Sequence, residues 1–316
     1  MNIIELDSVD IEFTPFSFSY GFDLEPLINS IKEVGIINPP ILKREKDKFI
    51  IVTGYKRILA LKKLGQKRIE GRILEEDSSL RCLLISLHDN VYTRQLNEVE
   101  KAILISKLSH YISPEDVIKT YLPLLGLPKR RDTYELYLWI SKLEDETKIL
   151  IASGRMSIKA AHLMWEWELS EEDIGIYTKL MEKLKFSFNE QIQLIEYTQD
   201  ICRKENISLA YLIKEVEEII ENKNLTNHDK VKKIISILRR KNFPMLCEAE
   251  DLMNKKICEL RLPEDIRIKV PLYFEEPYKI EISFKEGKEL RQKLFKLLDK
   301  KLEQIKAPWK ESTTPN

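Results

Sequence analysis

In IVTGYKRILALKKLG, residues 51–65, an apolar run that begins at Phe49 stops at Thr53-Gly54, and a helical pattern takes over with Leu59, Lys62 and Lys63 spaced over two faces. Strand, glycine and helix therefore follow one another directly. The first turn of that helix carries Lys56 and Arg57. The exposed amides of a helix N-terminus act as a partial positive charge, so cations there are unfavourable by roughly 0.3–1 kcal/mol each. A glycine turn leading into a cationic helix start is also how free N–H groups and side chains converge on one phosphate. An ordinary solvated first turn is the competing reading. The phosphate reading requires that both side chains face a cavity and are not neutralised by neighbouring carboxylates.

Working outward, Asn2 to Phe13 alternates as a short strand and Phe13 to Phe22 is an aromatic loop. Asp23 as cap, Pro26 in the first turn and the stripe Leu27, Ile28, Ile31 and Val34 predict a helix that Gly35 ends. Asn38-Pro39-Pro40 stiffens an extended entry into a strand at Ile41 to Lys43. Glu45 to Lys48 turns the chain into the strand before Gly54. Arg68 to Leu74 reads as extended and Ser79 to Asn90 as a helix, which completes a compact α/β unit over residues 1–95.

Beyond Leu96 the pattern is helical. Asn97 caps a helix bearing Val99, Ala102, Ile103, Ile105 and Leu108, and Ser113-Pro114 starts a second that Pro123 should end near Tyr121. Gly126-Leu127-Pro128 is a tight turn, followed by Lys129-Arg130-Arg131 and a helix with Leu136, Ile140 and Leu143 on its core face. Short helix, glycine turn and basic helix outline a helix-turn-helix. That assignment leaves Lys129, Arg130, Arg131, Thr133, Tyr134 and Tyr137 for the N-terminal end and outer face, where cations and hydroxyls suit phosphates and base edges. Ser157 caps a further helix with Lys159 near its start. This helical domain spans 96–224. Residues 225–316 read as a small α+β interaction or dimerisation module: helices near Lys230 to Arg240 and Phe243 to Leu260, a hairpin of Ile266 to Val270 with Tyr278 to Ile282 through Glu275-Glu276-Pro277, and a closing helix from Gly287 to Ile305. The tail after Pro308 reads as frayed. The fold class is thus α+β, predominantly helical.

Composition sets limits on these readings. Hydrophobic residues at 43% and charged residues at 33% fit a helix-rich globular chain, not a disordered one. The formal net charge is zero, so a nucleic-acid site must be a local patch. Cys82, Cys202, Cys247 and Cys258 form no CxxC pair, and His88, His110, His162 and His228 are dispersed, which argues against a disulfide frame or zinc ribbon. No run reaches the roughly 18 apolar residues of a membrane helix, and the expected location is cytoplasmic.

Ser30-Ile31, Gly35 to Pro40, Val52-Thr53-Gly54-Tyr55-Lys56-Arg57-Ile58-Leu59-Ala60, Asp89-Asn90, Leu96-Asn97 with Glu100, and Gly154-Arg155-Met156-Ser157 occur in an order and spacing that resembles ParB-type partition proteins over about residues 3–165. The resemblance implies a ParB/sulfiredoxin-like domain that binds CTP or another nucleotide, with Gly54, Tyr55, Lys56, Arg57, Asp89, Asn90 and Arg94 at the nucleotide and Asp89 and Asn90 at Mg2+. It also implies binding of double-stranded DNA through the helix-turn-helix, a homodimer, a partition ATPase as partner, and a role in chromosome or plasmid partition or transcriptional regulation. The family's Gly-Glu-Arg-Arg turn is here Gly54-Tyr55-Lys56-Arg57, so Tyr55 stands where the glutamate for hydrolysis would be, and catalysis is at most a weak CTPase activity. Lysine at 56 keeps a point charge and loses the two-pronged geometry of arginine. Thr93 stands where an arginine is expected, with Arg94 adjacent. The same fold serves free serine kinases, for which Asp89 or Glu100 would be the base. It also serves sulfiredoxin-like reductases, whose Gly-Cys-His-Arg turn needs a cysteine that this turn lacks.

Overall fold

The computed structural model describes residues 1–269, 278–298 and 302. They form two compact units. One comprises Met1–Glu196 with Ser208–Val231, and the other Tyr197–Ile207 with the described residues from Lys232 onward.

The first unit opens with β1 (Asn2–Glu5), a single 3-10 turn and β2 (Val9–Asp10), so the expected N-terminal strand is split in two. Then follow α1 (Glu25–Val34), β3 (Ile41–Glu45), β4 (Lys48–Thr53), α2 (Tyr55–Lys63), β5 (Arg68–Leu74) and α3 (Ser79–Val91). The strands make one sheet in the order β1-β5-β3-β4-β2. β1 is antiparallel to β5, β5 parallel to β3, β3 antiparallel to β4, and β4 parallel to β2. Ile50 to Thr53 are all buried, and Leu42, Ile51, Ile58, Leu61 and Ile69 meet in the core beneath α2. The apolar run before Gly54 is therefore a strand covered on both faces. The Asp23 carboxylate accepts the Glu25 amide at 3.0 Å, although the cap position itself falls on Leu24.

Gly54 joins β4 to α2 with φ at 90°. A β-carbon there would lie 2.8 Å from Cβ of Pro40, and such a left-handed backbone suits only glycine at low cost. Pro40 and Gly54 are thus one packing solution, which holds the start of α2 close against the entry to β3.

The helical part of this unit begins with α4 (Glu98–Leu108), whose start is a full capping box: Asn97 Oδ1 accepts the Glu100 amide and the Glu100 carboxylate accepts the Asn97 amide. Next, α5 (Pro114–Asp116), a π turn (Val117–Tyr121) and α6 (Leu122–Leu124) run on without a break. The expected stop near Tyr121 is corrected here. The widened π turn accommodates the ring of Pro123, which a regular helix would not. After the Gly126 turn come α7 (Arg131–Lys142), α8 (Asp145–Ala152), α9 (Ile158–Glu166), α10 (Glu171–Lys183), α11 (Phe188–Glu205), α12 (Leu209–Lys214) and α13 (Glu217–Glu221).

The second unit takes the C-terminal part of α11 with α14 (Asn227–Asn242) from Lys232 onward, α15 (Pro244–Glu259), the antiparallel pair β6 (Ile266–Lys269) and β7 (Lys279–Ile282), and α16 (Gly287–Leu298). Arg239 on α14 forks onto Glu250 of α15 with two bonds of 2.6 Å. The expected link Glu275-Glu276-Pro277, the helix end at Ile305 and the tail after Pro308 lie outside the described residues.

Candidate functional site

The start of α2, the end of α3 and the loop between β2 and α1 enclose a cavity of about 230 Å³. Gly54, Tyr55, Lys56, Arg57, Asp89, Asn90 and Arg94 all line it, together with Ser17, Ser19, Thr53, Ser86 and Thr93. The residues assigned from sequence to a nucleotide are therefore brought to one place. The first-turn amides of α2 stand at the same cavity, and such amides have no partner within their helix.

The cations of this cavity are partly paired. Lys56 lies 3.7 Å from the Glu100 carboxylate, and Arg57 lies 3.7 Å from that of Asp89. Glu100 is shared: Arg94 Nη1 donates to it at 2.6 Å and the Tyr20 amide at 3.3 Å. Three cationic side chains thus face two carboxylates, and one positive charge is left over. Both Lys56 and Arg57 line the cavity, as the phosphate reading requires. Each already has a carboxylate at 3.7 Å, so the demand that they be free of neighbouring carboxylates is not met, and only the excess of one cation remains for an anion.

Each cation is also tuned by its surroundings. Burial, reinforced by the charge of Arg94, lowers the pKa of Lys56 against the pull of Glu100. Its ammonium lies 4.6 Å from the centre of the Phe22 ring, a cation–π contact. Burial likewise lowers Arg57, opposed by Asp89. Arg57 Nη1 donates to the carbonyls of Asn38 and Pro39, so this side chain also clamps the turn that leads to Pro40. Arg94 Nε donates to Asn90 Oδ1 at 2.9 Å, while its Nη2 is buried with no hydrogen-bond partner. A buried guanidinium nitrogen without an acceptor is costly. Arg94 thus stands in the cavity, whereas the hydroxyl of Thr93 is turned back to the carbonyl of Asp89 at 2.6 Å.

For Mg2+ the donor set is uneven. The Asp89 carboxylate is exposed at 42% and fits the habit of Mg2+ to take one carboxylate beside phosphate oxygens. Both ends of the Asn90 amide are engaged, with Oδ1 accepting from Arg94 and Nδ2 donating to the Ser86 carbonyl at 2.8 Å. Among the described residues no group of three or more His, Cys, Asp or Glu side chains could hold a metal by itself.

The helix-turn-helix residues divide. Lys129, Arg130 and Arg131 are exposed at the start of α7, as is Lys159 at the start of α9, and Thr133 is half-buried. Arg131 is occupied by Glu135 at 2.8 Å and Glu115 at 3.4 Å. Tyr134 and Tyr137 are corrected: they are 4% and 3% exposed, not on an outer face. Tyr134 donates to Ser109 Oγ at 3.0 Å and Tyr137 to the Glu98 carboxylate. Helix α7 packs against α4 as well as its own core side, so a second stripe of α7 is covered, and buried phenols need such acceptors. Burial and the Glu98 charge push the Tyr137 hydroxyl well above the usual phenol range.

Glu100, Ser17 and Ser19 were not assigned to the nucleotide from the sequence. Glu100 was readable as the third position of a capping box, which is the signal that could have found it. Ser17 and Ser19 carry no local signal, since their place depends on how the loop is held.

Comparison with known proteins relates the chain to one group. Residues 4–91 match the family model described as the ParB N-terminal domain. A probable chromosome-partitioning protein ParB of Campylobacter jejuni is 29% identical over 257 residues, covering 75% of this chain and 88% of that protein. One from Chlamydia muridarum is 29% identical over 195 residues, covering 58% and 65% respectively. Among solved structures, C-terminally truncated ParB of Caulobacter crescentus complexed with CTP-γ-S aligns at 21% identity over 57% of this chain and 97% of that one, with a TM-score of 0.27. Among the described residues no helix is long and apolar enough to cross a membrane. Residues 4–91 thus match the ParB N-terminal domain, and over a longer stretch the chain is similar to probable chromosome-partitioning proteins.

Proposed function

We propose that this chain is a DNA-binding partition or regulatory protein whose state is set by a nucleotide held through its phosphates at the Gly54 cavity. The convergence of Lys56, Arg57 and Arg94 with the start of α2 on one cavity carries the reading. The phosphate arm would take these cations and the α2 amides, with Asp89 sharing Mg2+ with the phosphates. DNA would meet the exposed cations Lys129, Arg130 and Lys159. The chain would act as a homodimer that answers to a partition ATPase. The partition proteins among its relatives support this assignment. Tyr55 in place of a carboxylate supports binding with slow or absent turnover.

Calorimetric titration of CTP, ATP and ADP with Mg2+, with and without pooled genomic DNA, tests the site. Arg57→Ala is expected to weaken nucleotide binding by about 1.5 kcal/mol, the scale of a lost charged hydrogen bond. Equal affinity in both proteins would remove the assignment. Duplex DNA should bind with a strong salt dependence. A protein that ignores duplex DNA at low salt with nucleotide present rejects the DNA reading, and turnover accelerated by a small hydroxyl compound without DNA favours a kinase.

A further inference from the structure

The loop from residue 11 to residue 24 carries Ser17 and Ser19 into the wall of the cavity, yet it has no strand or helix to satisfy its backbone. Helix α4 holds it instead, at both ends of the helix. At the N-terminus, Asn97 Nδ2 donates to the Tyr20 carbonyl at 2.9 Å and Glu100 accepts the Tyr20 amide. In the last turn, Lys107 Nζ donates to the carbonyls of Thr14 at 2.6 Å, Pro15 at 3.1 Å and Ser17 at 2.6 Å. Phe16 and Phe18, each 3% exposed, bury the loop between these ties.

An ammonium has three donors and no acceptor, and here three carbonyl oxygens converge on it, so donors and acceptors match in number. The planar fork of arginine would not converge on one point in this way. Removing the ammonium would leave three part-buried carbonyls short of a donor within a single short loop. Nothing else described reaches the Thr14 and Pro15 carbonyls.

We infer that Lys107 is a positioning residue for the Gly54 cavity: its ammonium latches the Thr14, Pro15 and Ser17 carbonyls and so sets the wall formed by Ser17 and Ser19. The ligand part of this inference rests on the proposed phosphate site, while the latch itself does not. Lys107 does not itself line the cavity and acts through the loop.

Hydrogen exchange on the full chain tests the latch without any ligand, and titration of CTP with Mg2+ tests its consequence. In Lys107→Ala, amides of residues 13–20 should exchange at least about tenfold faster, a change that opening of a local unit produces, while amides of β4 stay as protected as before. n-Propylammonium, which replaces the missing three carbons and nitrogen, should restore most of that protection, and sodium chloride at the same ionic strength should not. CTP affinity should fall about fivefold, roughly one broken hydrogen bond, and recover with propylammonium. Unchanged exchange over 13–20, or loosening of the whole unit that propylammonium leaves untouched, overturns the latch. A loosened loop with unchanged CTP affinity overturns the positioning role. A wild type that ignores CTP while its loop still follows Lys107 overturns the phosphate site and leaves the latch standing.

Discussion

Arg94 donates to Glu100 across 2.6 Å, and this pair ties the residue just beyond α3 to the first turn of α4. Glu100 is 1% exposed, and it gathers Arg94, Lys56 and two backbone amides. The carboxylate that stabilises the cavity therefore also competes for the cations that would meet a phosphate. Breaking one partner of a buried pair leaves the other uncompensated, which costs about 3 kcal/mol.

Glu100→Gln should accordingly lower stability to urea by about that amount. It should also raise affinity for CTP or inorganic triphosphate about threefold, because Lys56 and Arg94 are released. Weaker ligand binding in a variant that is still folded would show that the cations need Glu100 to stay in place.

Gly54→Ala places a β-carbon against Pro40, a ring that cannot rotate away, at a φ of 90°. Strain and contact together should cost about 2 kcal/mol. A melting temperature within one degree of wild type would contradict the packing of Gly54 on Pro40.

Tyr137 and the basic residues of the α7 start should separate cleanly. Tyr137→Phe leaves the Glu98 carboxylate short of a donor and should cost about 1.5 kcal/mol of stability with DNA affinity unchanged. Lys129→Ala with Arg130→Ala should leave stability within about 0.5 kcal/mol and lower the salt slope of DNA binding by roughly 1.8. A DNA defect in Tyr137→Phe at full stability would return that hydroxyl to the interface.

Tyr20 gives the pH dependence. Burial first, then the hydrogen bond and charge of Asp145, raise its pKa to about 12. An unfolded tyrosine ionises near about 10, so between these values the folded chain holds the proton that the unfolded chain has lost. Stability should then fall as pH rises through that window, by linkage. Tyr20→Phe should flatten the fall, and identical denaturation profiles for both proteins across it would refute the assignment.

Much of this was legible in the chain because it rests on local chemistry. Gly54 after an apolar run, the Asn97 and Ser157 caps and the extended run of β5 all act within a few residues, and the structure places each element there. Tyr134, Tyr137 and Pro123 were misread for one reason. Their outcome depends on a neighbour: α4 covers the tyrosines, and a π turn makes room for the proline ring. Lys107 gave no signal, since its acceptors are backbone carbonyls 90 to 93 residues away.

The sequence by itself determined the order of strands and helices, the glycine turn and the cationic start of α2, because periodicity, capping and backbone sterics act between near neighbours. Tertiary structure alone decided which cations face which carboxylates, which phenols are buried and what holds the loop beside the cavity. Those outcomes come from through-space contacts between segments far apart in the chain, and pairing, desolvation and hydrogen-bond satisfaction are properties of such contacts.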